Sequence, residues 1–345
     1  MAAVSAREII SRGVELGASD VHLTVYRPPV YRVNGRLTYD SQTEPLKPEE
    51  TKKLAAEIMP NSQSADKLRE LGQVDFSNSL PGIGRFRVNI YLQRGSYAAA
   101  IRLIPVDVPR LDQLGLPPVV AELTMRENGL LLVTGATGSG KSTTLAAVIN
   151  LLNHTRNCNI LTLEEPIEYL HRHGTCIINQ REIGTDSPSF ALALRAALRQ
   201  DPDVILIGEM RDLETIAIAM TAAETGHLVL ASLHSANAAQ TIERIIDVFP
   251  PHQQAQISIQ LATTLQGIIS QQLIPRSNGN GRVAACEVLV ATPAIRNLIR
   301  ENKIHQIYSS IQTGGNSGMI TMEKSIKTLC QQGIISIDGS SPDFP

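Results

Sequence analysis

Tryptophan is absent from the chain, and aromatic residues of all kinds make up only 3% of it. Proteins that track single-stranded nucleic acid stack bases on aromatic rings along a basic groove, so this scarcity weighs against a nucleic-acid translocase. Charge points the same way: 31 Lys and Arg against 33 Asp and Glu leave a formal net charge of −2, with no global excess of positive charge to meet phosphates. Cysteine is sparse as well. Cys158, Cys176, Cys286 and Cys330 are widely scattered and form no CxxC pair, so neither a zinc site nor a disulfide framework is expected, and a reducing cytoplasm fits best. No apolar run approaches the roughly 20 residues that a bilayer-spanning helix needs. The start, "MAAVSAREIISRG", lacks the basic-then-apolar design of a secretory signal. Any membrane association is expected to be peripheral.

What is present suits an ordinary globular protein. A length of 345 residues at 43% hydrophobic supports roughly two domains. In the first hundred or so residues short patterns mix: "AREIISRGVELGAS" and "PEETKKLAAEIM" read as amphipathic helices, "PPVYRVNGRLTY" as a hairpin around Asn34-Gly35, and "GRFRVNIYLQRGSYAAAIRLI" as two strands joined at Arg94-Gly95. This predicts a compact α+β domain over residues 1–103. The proline-interrupted stretch 104–118 reads as a linker. From 119 to 345, the continuous apolar runs "GLLLVT", "NILTLE", "DVILIG" and "GHLVLASLH" alternate with helical segments. Runs apolar at every position belong to strands covered on both faces, which predicts an α/β domain built on a mostly parallel sheet.

One motif fixes the chemistry. "GATGSGKS" matches G-x-x-x-x-G-K-[ST] at Gly135, Gly140, Lys141 and Ser142, after a strand and before a helix with Leu145, Val148, Ile149 and Leu152 on one face. In such a loop Gly135, Thr137, Gly138, Ser139, Gly140 and Thr143 let backbone N–H groups curl around phosphate oxygens, Lys141 reaches the β and γ phosphates, and the Ser142 hydroxyl ligates Mg²⁺. ATP with Mg²⁺ is therefore the expected cofactor. "DPDVILIGEMRD" places Glu209 at a strand end beside the loop as the metal-linked or water-ordering carboxylate. "LTLEEPIEYL" gathers Glu164, Glu165 and Glu168 at another strand end, a cluster that could raise one pKa and supply a general base. In "ETGHLVLASLHS" the strand polarity puts His234 at the nucleotide edge and His227 at the opposite end, so chemistry favours His234 as a γ-phosphate sensor.

Taken in order, "GATGSGKS", "LEEPIEY", "IGEMRD" and "HLVLASLHS" resemble the Walker A, Asp-box, Walker B and His-box signatures of the bacterial ATPases that drive type II secretion and type IV pili. "GASDVHL", "ALRAALRQDPDVILIGEMRDLETI", "AAETGHLVLASLH" and "TPAIRNLIRE" look like the twitching-motility, pilus-retraction branch, and the resemblance runs from about Ser5 to Gly333. It implies a PAS-like amino-terminal domain joined to a RecA-like P-loop ATPase domain, a ring of six chains, and nucleotide held between the two domains and a neighbouring chain. It further implies that Glu168 or Glu164 polarises the water, that Glu209 serves the Walker B role, that His227 and His234 form the His box, and that Arg94 and Arg102 approach the phosphates. Read from the residues alone, those two arginines are basic residues on strands, and "PAIRNLIRENK" is an amphipathic helix with Ile295, Leu298 and Ile299 inward and Arg296, Asn297 and Arg300 outward. Implied partners are an inner-membrane pilus platform protein and a paralogous retraction ATPase, with no nucleic acid. The implied location is the cytoplasmic face of the inner membrane. Glu165 stands where Asp is common, and Ser232 and Ser235 where Thr is frequent; each swap keeps the functional group.

Overall fold

The computed structural model describes residues 5–40, 43–105, 107–279 and 281–336. Two compact units account for the chain: Met1–Asp107 with Glu168–Leu170, and Val108–Ile167 with His171–Pro345. Within the stretch read as a linker, Leu111 and Leu116 pack against a core cluster of the larger unit, which is why the chain from Val108 onward belongs to that unit.

The smaller unit opens at Ser5, whose hydroxyl accepts the Glu8 N–H while the Glu8 carboxylate accepts the Ser5 N–H at 2.8 Å. This reciprocal cap starts α1 (Ala6–Glu15). There follow β1 (Asp20–Leu23), β2 (Val30–Val33), β3 (Arg36–Tyr39), α2 (Pro48–Ile58), α3 (Ser62–Leu71), β4 (Gln73–Leu80), β5 (Gly84–Gln93) and β6 (Ser96–Leu103). The strands form an antiparallel sheet in the order β3-β2-β1-β6-β5-β4. Turns at Asn34-Gly35 and Arg94-Gly95 close the two hairpins read from the sequence. Ile9, Ile10, Leu54, Phe86 and Ile101 are buried between this sheet and its helices.

In the larger unit the elements are α4 (Val119–Thr124), β7 (Gly129–Thr134), α5 (Lys141–Thr155), β8 (Asn159–Glu164), β9 (Ile177–Glu182), α6 (Phe190–Ala197), β10 (Val204–Ile207), α7 (Leu213–Glu224), β11 (Leu228–Leu233), α8 (Ala238–Asp247), α9 (Pro251–Thr264), β12 (Leu265–Pro275), β13 (Arg282–Val290), α10 (Pro293–Arg300), α11 (Ile307–Thr313) and α12 (Met322–Gln331). Their sheet runs β13-β12-β7-β11-β10-β8-β9, parallel throughout except for the β12–β13 pair. The uninterrupted apolar runs have the expected cause. Along β7, Leu130 and Leu132 face the cluster containing α6, α7, α9 and α10 residues, whereas Leu131 and Val133 face Leu145, Val148, Ile149 and Leu152 of α5. Both sheet faces are covered, so no position in these strands can be polar without a partner.

Two expectations change. The cysteines are not all scattered in space: Cys158 and Cys176 bring their sulfurs to 3.3 Å across the start of β8 and β9, as free thiols, because strand pairing closes a gap of 18 positions. Arg296 does not point outward from α10. Its guanidinium donates to the carbonyls of Ala262, Thr263 and Ala291 and so clamps the end of α9, where the last carbonyls of a helix have no internal partners. No helix among the described residues is long and apolar enough to cross a membrane.

Candidate functional site

The parallel strands β7, β11, β10 and β8 lie side by side, so the segments leaving their carboxyl ends share one edge, where open α/β sheets bind ligands. From β7 comes the loop Gly135–Gly140, from β11 His234, from β10 Gly208-Glu209, and from β8 Glu164 and Glu165.

The loop is shaped for a close approach of backbone. At Gly135, φ is +144°, and an added β-carbon would lie 2.4 Å from the Gln271 carbonyl oxygen and 2.5 Å from Ser139 Oγ; only glycine fits. Gly140 caps α5, whose first N–H groups face the loop with the positive end of the helix dipole. Lys141 is buried, and its ammonium donates to the carbonyls of Gly135 and Ala136 at 2.8 and 2.9 Å, so its charge is folded over the loop. Thr137 and Gly138 form the crest, Ser142 is exposed on the first turn of α5, and Thr143 follows it half-buried. A triphosphate fits this cradle because the backbone leaves no room for a side chain at Gly135, so the loop N–H groups stay open to phosphate oxygens. No group of three or more His, Cys, Asp or Glu able to hold a metal occurs among the described residues. In loops of this kind a magnesium ion is usually held by the hydroxyl at the position of Ser142.

Glu209 and His234 meet. His234 Nε2 lies 3.3 Å from Glu209 Oε1, and Arg211 Nη2 donates to Glu209 Oε2 at 2.7 Å. Burial on its own would raise the Glu209 pKa, but the hydrogen bonds and charges of Arg211 and His234 outweigh it and hold the carboxyl below its ordinary value. With both oxygens on protein donors, Glu209 reaches a metal only by releasing one of them. The turn is anchored to its neighbour strand: Ser232 Oγ donates to the Gly208 carbonyl at 2.5 Å, and the Met210 N–H to the Ser232 carbonyl. His234 is fixed in turn by Arg244, which donates to its carbonyl at 2.7 Å. Ser235 pairs with Thr241 at the start of α8. Ser232 and Ser235 thus both use their hydroxyls in hydrogen bonds.

The three glutamates at the end of β8 have different surroundings. Glu164 Oε1 accepts from Thr162 Oγ1 at 2.6 Å and from Gln180 Nε2 at 3.1 Å. Glu165 is exposed, and its charge acts on Arg211. Glu168 is exposed and falls in the smaller unit. His227 is not brought to this edge. Its Nδ1 lies 2.9 Å from the Ala222 carbonyl, against the last turn of α7, because it precedes β11 while the loop follows β7 in a parallel pair. In the smaller unit, Arg94 is exposed in the β5–β6 turn, and Arg102 Nε donates to Asp20 at 3.1 Å.

Residue types alone did not disclose several members of the site. Arg211, two positions after Glu209 in "GEMRD", was not singled out from the sequence, and its role shows only in its bond to Glu209. Glu182 is buried and accepts the Ile167 N–H, pinning the glutamate-bearing loop. Glu287 is buried in β13 and accepts the Ala238 N–H that opens α8, just after the His234 segment. Neither carries a local sequence signal.

The family model for type II/IV secretion system proteins matches residues 4–339. The chain belongs to this family. Among its members, the type IV pilus retraction ATPase PilT of Pseudomonas aeruginosa is 48% identical over 329 residues, covering 95% of each chain. A solved structure of the pilus retraction motor PilT with bound ADP superimposes with a TM-score of 0.90 at 51% identity, covering 99% of this chain and 98% of that one. The Legionella pneumophila ATPase DotB follows with a TM-score of 0.83 at 30% identity, covering 98% and 95%. The secretion-family fold expected from the four motifs is thus the fold observed.

Proposed function

We propose that this member of the secretion-ATPase family hydrolyses ATP to drive retraction of a type IV pilus, as a ring of six copies working peripherally on the cytoplasmic face of the inner membrane. One observation carries the reading: the Gly135–Thr143 cradle and the Glu209–His234 pair end neighbouring strands at one sheet edge, in a chain alike from end to end to a retraction ATPase. The loop N–H groups and Lys141 grip the β and γ phosphates, and Ser142 would hold a Mg²⁺, which when bound would balance phosphate charge. Glu209, kept ionised by Arg211 and His234, orders the attacking water. His234, bonded to that same carboxylate, registers loss of the γ-phosphate. Glu164 or Glu168 takes the proton from water. Arg94 and Arg102 supply further positive charge to the phosphates, with Arg102 exchanging Asp20 for phosphate oxygen. His227, remote from the edge within its own chain, has the weakest support of the set.

Hydrolysis becomes movement only if ATP and ADP favour different arrangements of the chain, since a ligand shifts an equilibrium through differential affinity alone. The platform protein of the inner membrane is the element moved, and a paralogous ATPase shares the task where one is encoded. A second reading, a secretion rather than a pilus ATPase, rests on the match to the type II/IV secretion system family model over residues 4–339. Purified protein should release phosphate from ATP in the presence of Mg²⁺ without stimulation by single-stranded DNA. Strong DNA stimulation, or phosphate transfer to an acceptor other than water, would refute the motor reading.

A further inference from the structure

β12 runs beneath the phosphate loop. The Gln271 carbonyl closes the space at Gly135, and Gln271 Nε2 lies 3.7 Å from where a β-carbon at Gly140 would be, so one glutamine touches the loop at both ends. Gln271 is 2% exposed and Ser139 5%. Neither Gln271 Oε1 nor Ser139 Oγ has a hydrogen-bond partner among the described residues. An unpaired buried polar atom is costly, and buried polar atoms are otherwise nearly always paired. Two such atoms stand against the same loop, and they are complementary, one a hydroxyl donor and the other a carbonyl acceptor.

We propose that Gln271 is a positioning residue for nucleotide, and that the Ser139 hydroxyl donates to the Gln271 side-chain carbonyl when the loop closes on phosphates. The inference rests on reading Gly135–Thr143 as the triphosphate cradle. It adds a partner on another strand, 132 positions from Ser139 in the chain, that sets how tightly the loop closes. Part of the nucleotide affinity then comes from satisfying two atoms that touch no phosphate. Because Gln271 continues from Ser270, which accepts from Thr134 at the root of the loop at 2.9 Å, loop closure is felt along β12.

Affinity for a fluorescent ADP analogue decides the matter, measured on the full-length chain as wild type, Gln271→Leu, Ser139→Ala and the double variant, alongside the melting temperature of each without nucleotide. A hydrogen bond formed only in the bound state predicts about a fivefold to tenfold loss of affinity in each single variant. The double variant should be no weaker than the weaker single, Ser139→Thr should regain most of the loss, and the nucleotide-free melting temperatures should not show the coupling. Independent losses that multiply in the double variant, or wild-type affinity in both singles, would overturn the inference. Should Gln271→Leu fail to fold, the Ser139→Ala and Ser139→Thr pair decides alone, since an affinity lost and not regained by Thr counts against it. Lys141→Ala is the control: if it too keeps full affinity, the cradle reading itself has failed, whereas its loss beside unaffected Gln271 and Ser139 variants removes only the present inference.

Discussion

Lys141 and Glu209 separate binding from chemistry. Lys141→Ala removes the fixed charge over the loop and should abolish measurable nucleotide-dependent phosphate release while leaving the fold intact by circular dichroism. Glu209→Gln should still bind ATP, because Glu209 lies outside the loop, yet turn it over about 10²-fold or more slowly, the scale on which positioned acid–base groups act; equilibrium binding and single-turnover rates on the same sample check both halves. Glu287 gives a prediction of the opposite kind, in stability. Burial raises its pKa against the lowering effect of the Ala238 N–H, so the folded chain holds that proton more tightly than the unfolded chain. Its contribution to folding is fullest below the ordinary carboxylate value and is lost as pH rises through the raised folded value. Glu287→Gln, which cannot ionise but still accepts from Ala238, should therefore melt higher than wild type near neutral pH, with the gap closing in acid. The loop motif, Glu209 and His234 were legible because spacing along strands of known polarity puts them at one edge. Arg296, Glu287 and Gln271 were not: their roles depend on which backbone groups lie across from them, and a single sequence does not encode that partner locally.

Among the elements, β7 and α5 were readable from pattern alone, since a continuous apolar run and an i, i+3, i+4 stripe each have one physical reading here. Leu131→Ala, which empties space between β7 and α5 at a fully buried position, should cost about 2–5 kcal/mol in denaturant melts. β9, β12 and β13 were harder. Polar residues interrupt β9 at the sheet edge, and β12 buries the polar pair Ser270 and Gln271 in mid-strand, so periodicity gives no clean signal. For α10, periodicity placed Ile295 and Ile299 inward correctly but gave Arg296 to solvent, because a helical wheel cannot show that the adjoining α9 ends in carbonyls needing a donor. Arg296→Met keeps the stem and loses the charged donor. It should destabilise the chain by about 1–3 kcal/mol, seen as a lower urea midpoint with an unchanged slope.

At the scale of the whole molecule, the account makes ATP turnover at one sheet edge the source of pilus withdrawal. Twitching across a surface reports this only indirectly, because it also needs pilus extension and adhesion. Labelled pili followed on single living cells report it directly, in a strain deleted for this chain and complemented with wild type or Glu209→Gln. The account predicts that deleted cells extend pili that do not withdraw, that wild type restores withdrawal, and that Glu209→Gln, though it binds ATP, does not. Withdrawal at the normal rate in the deleted strain, or full restoration by Glu209→Gln, would contradict it.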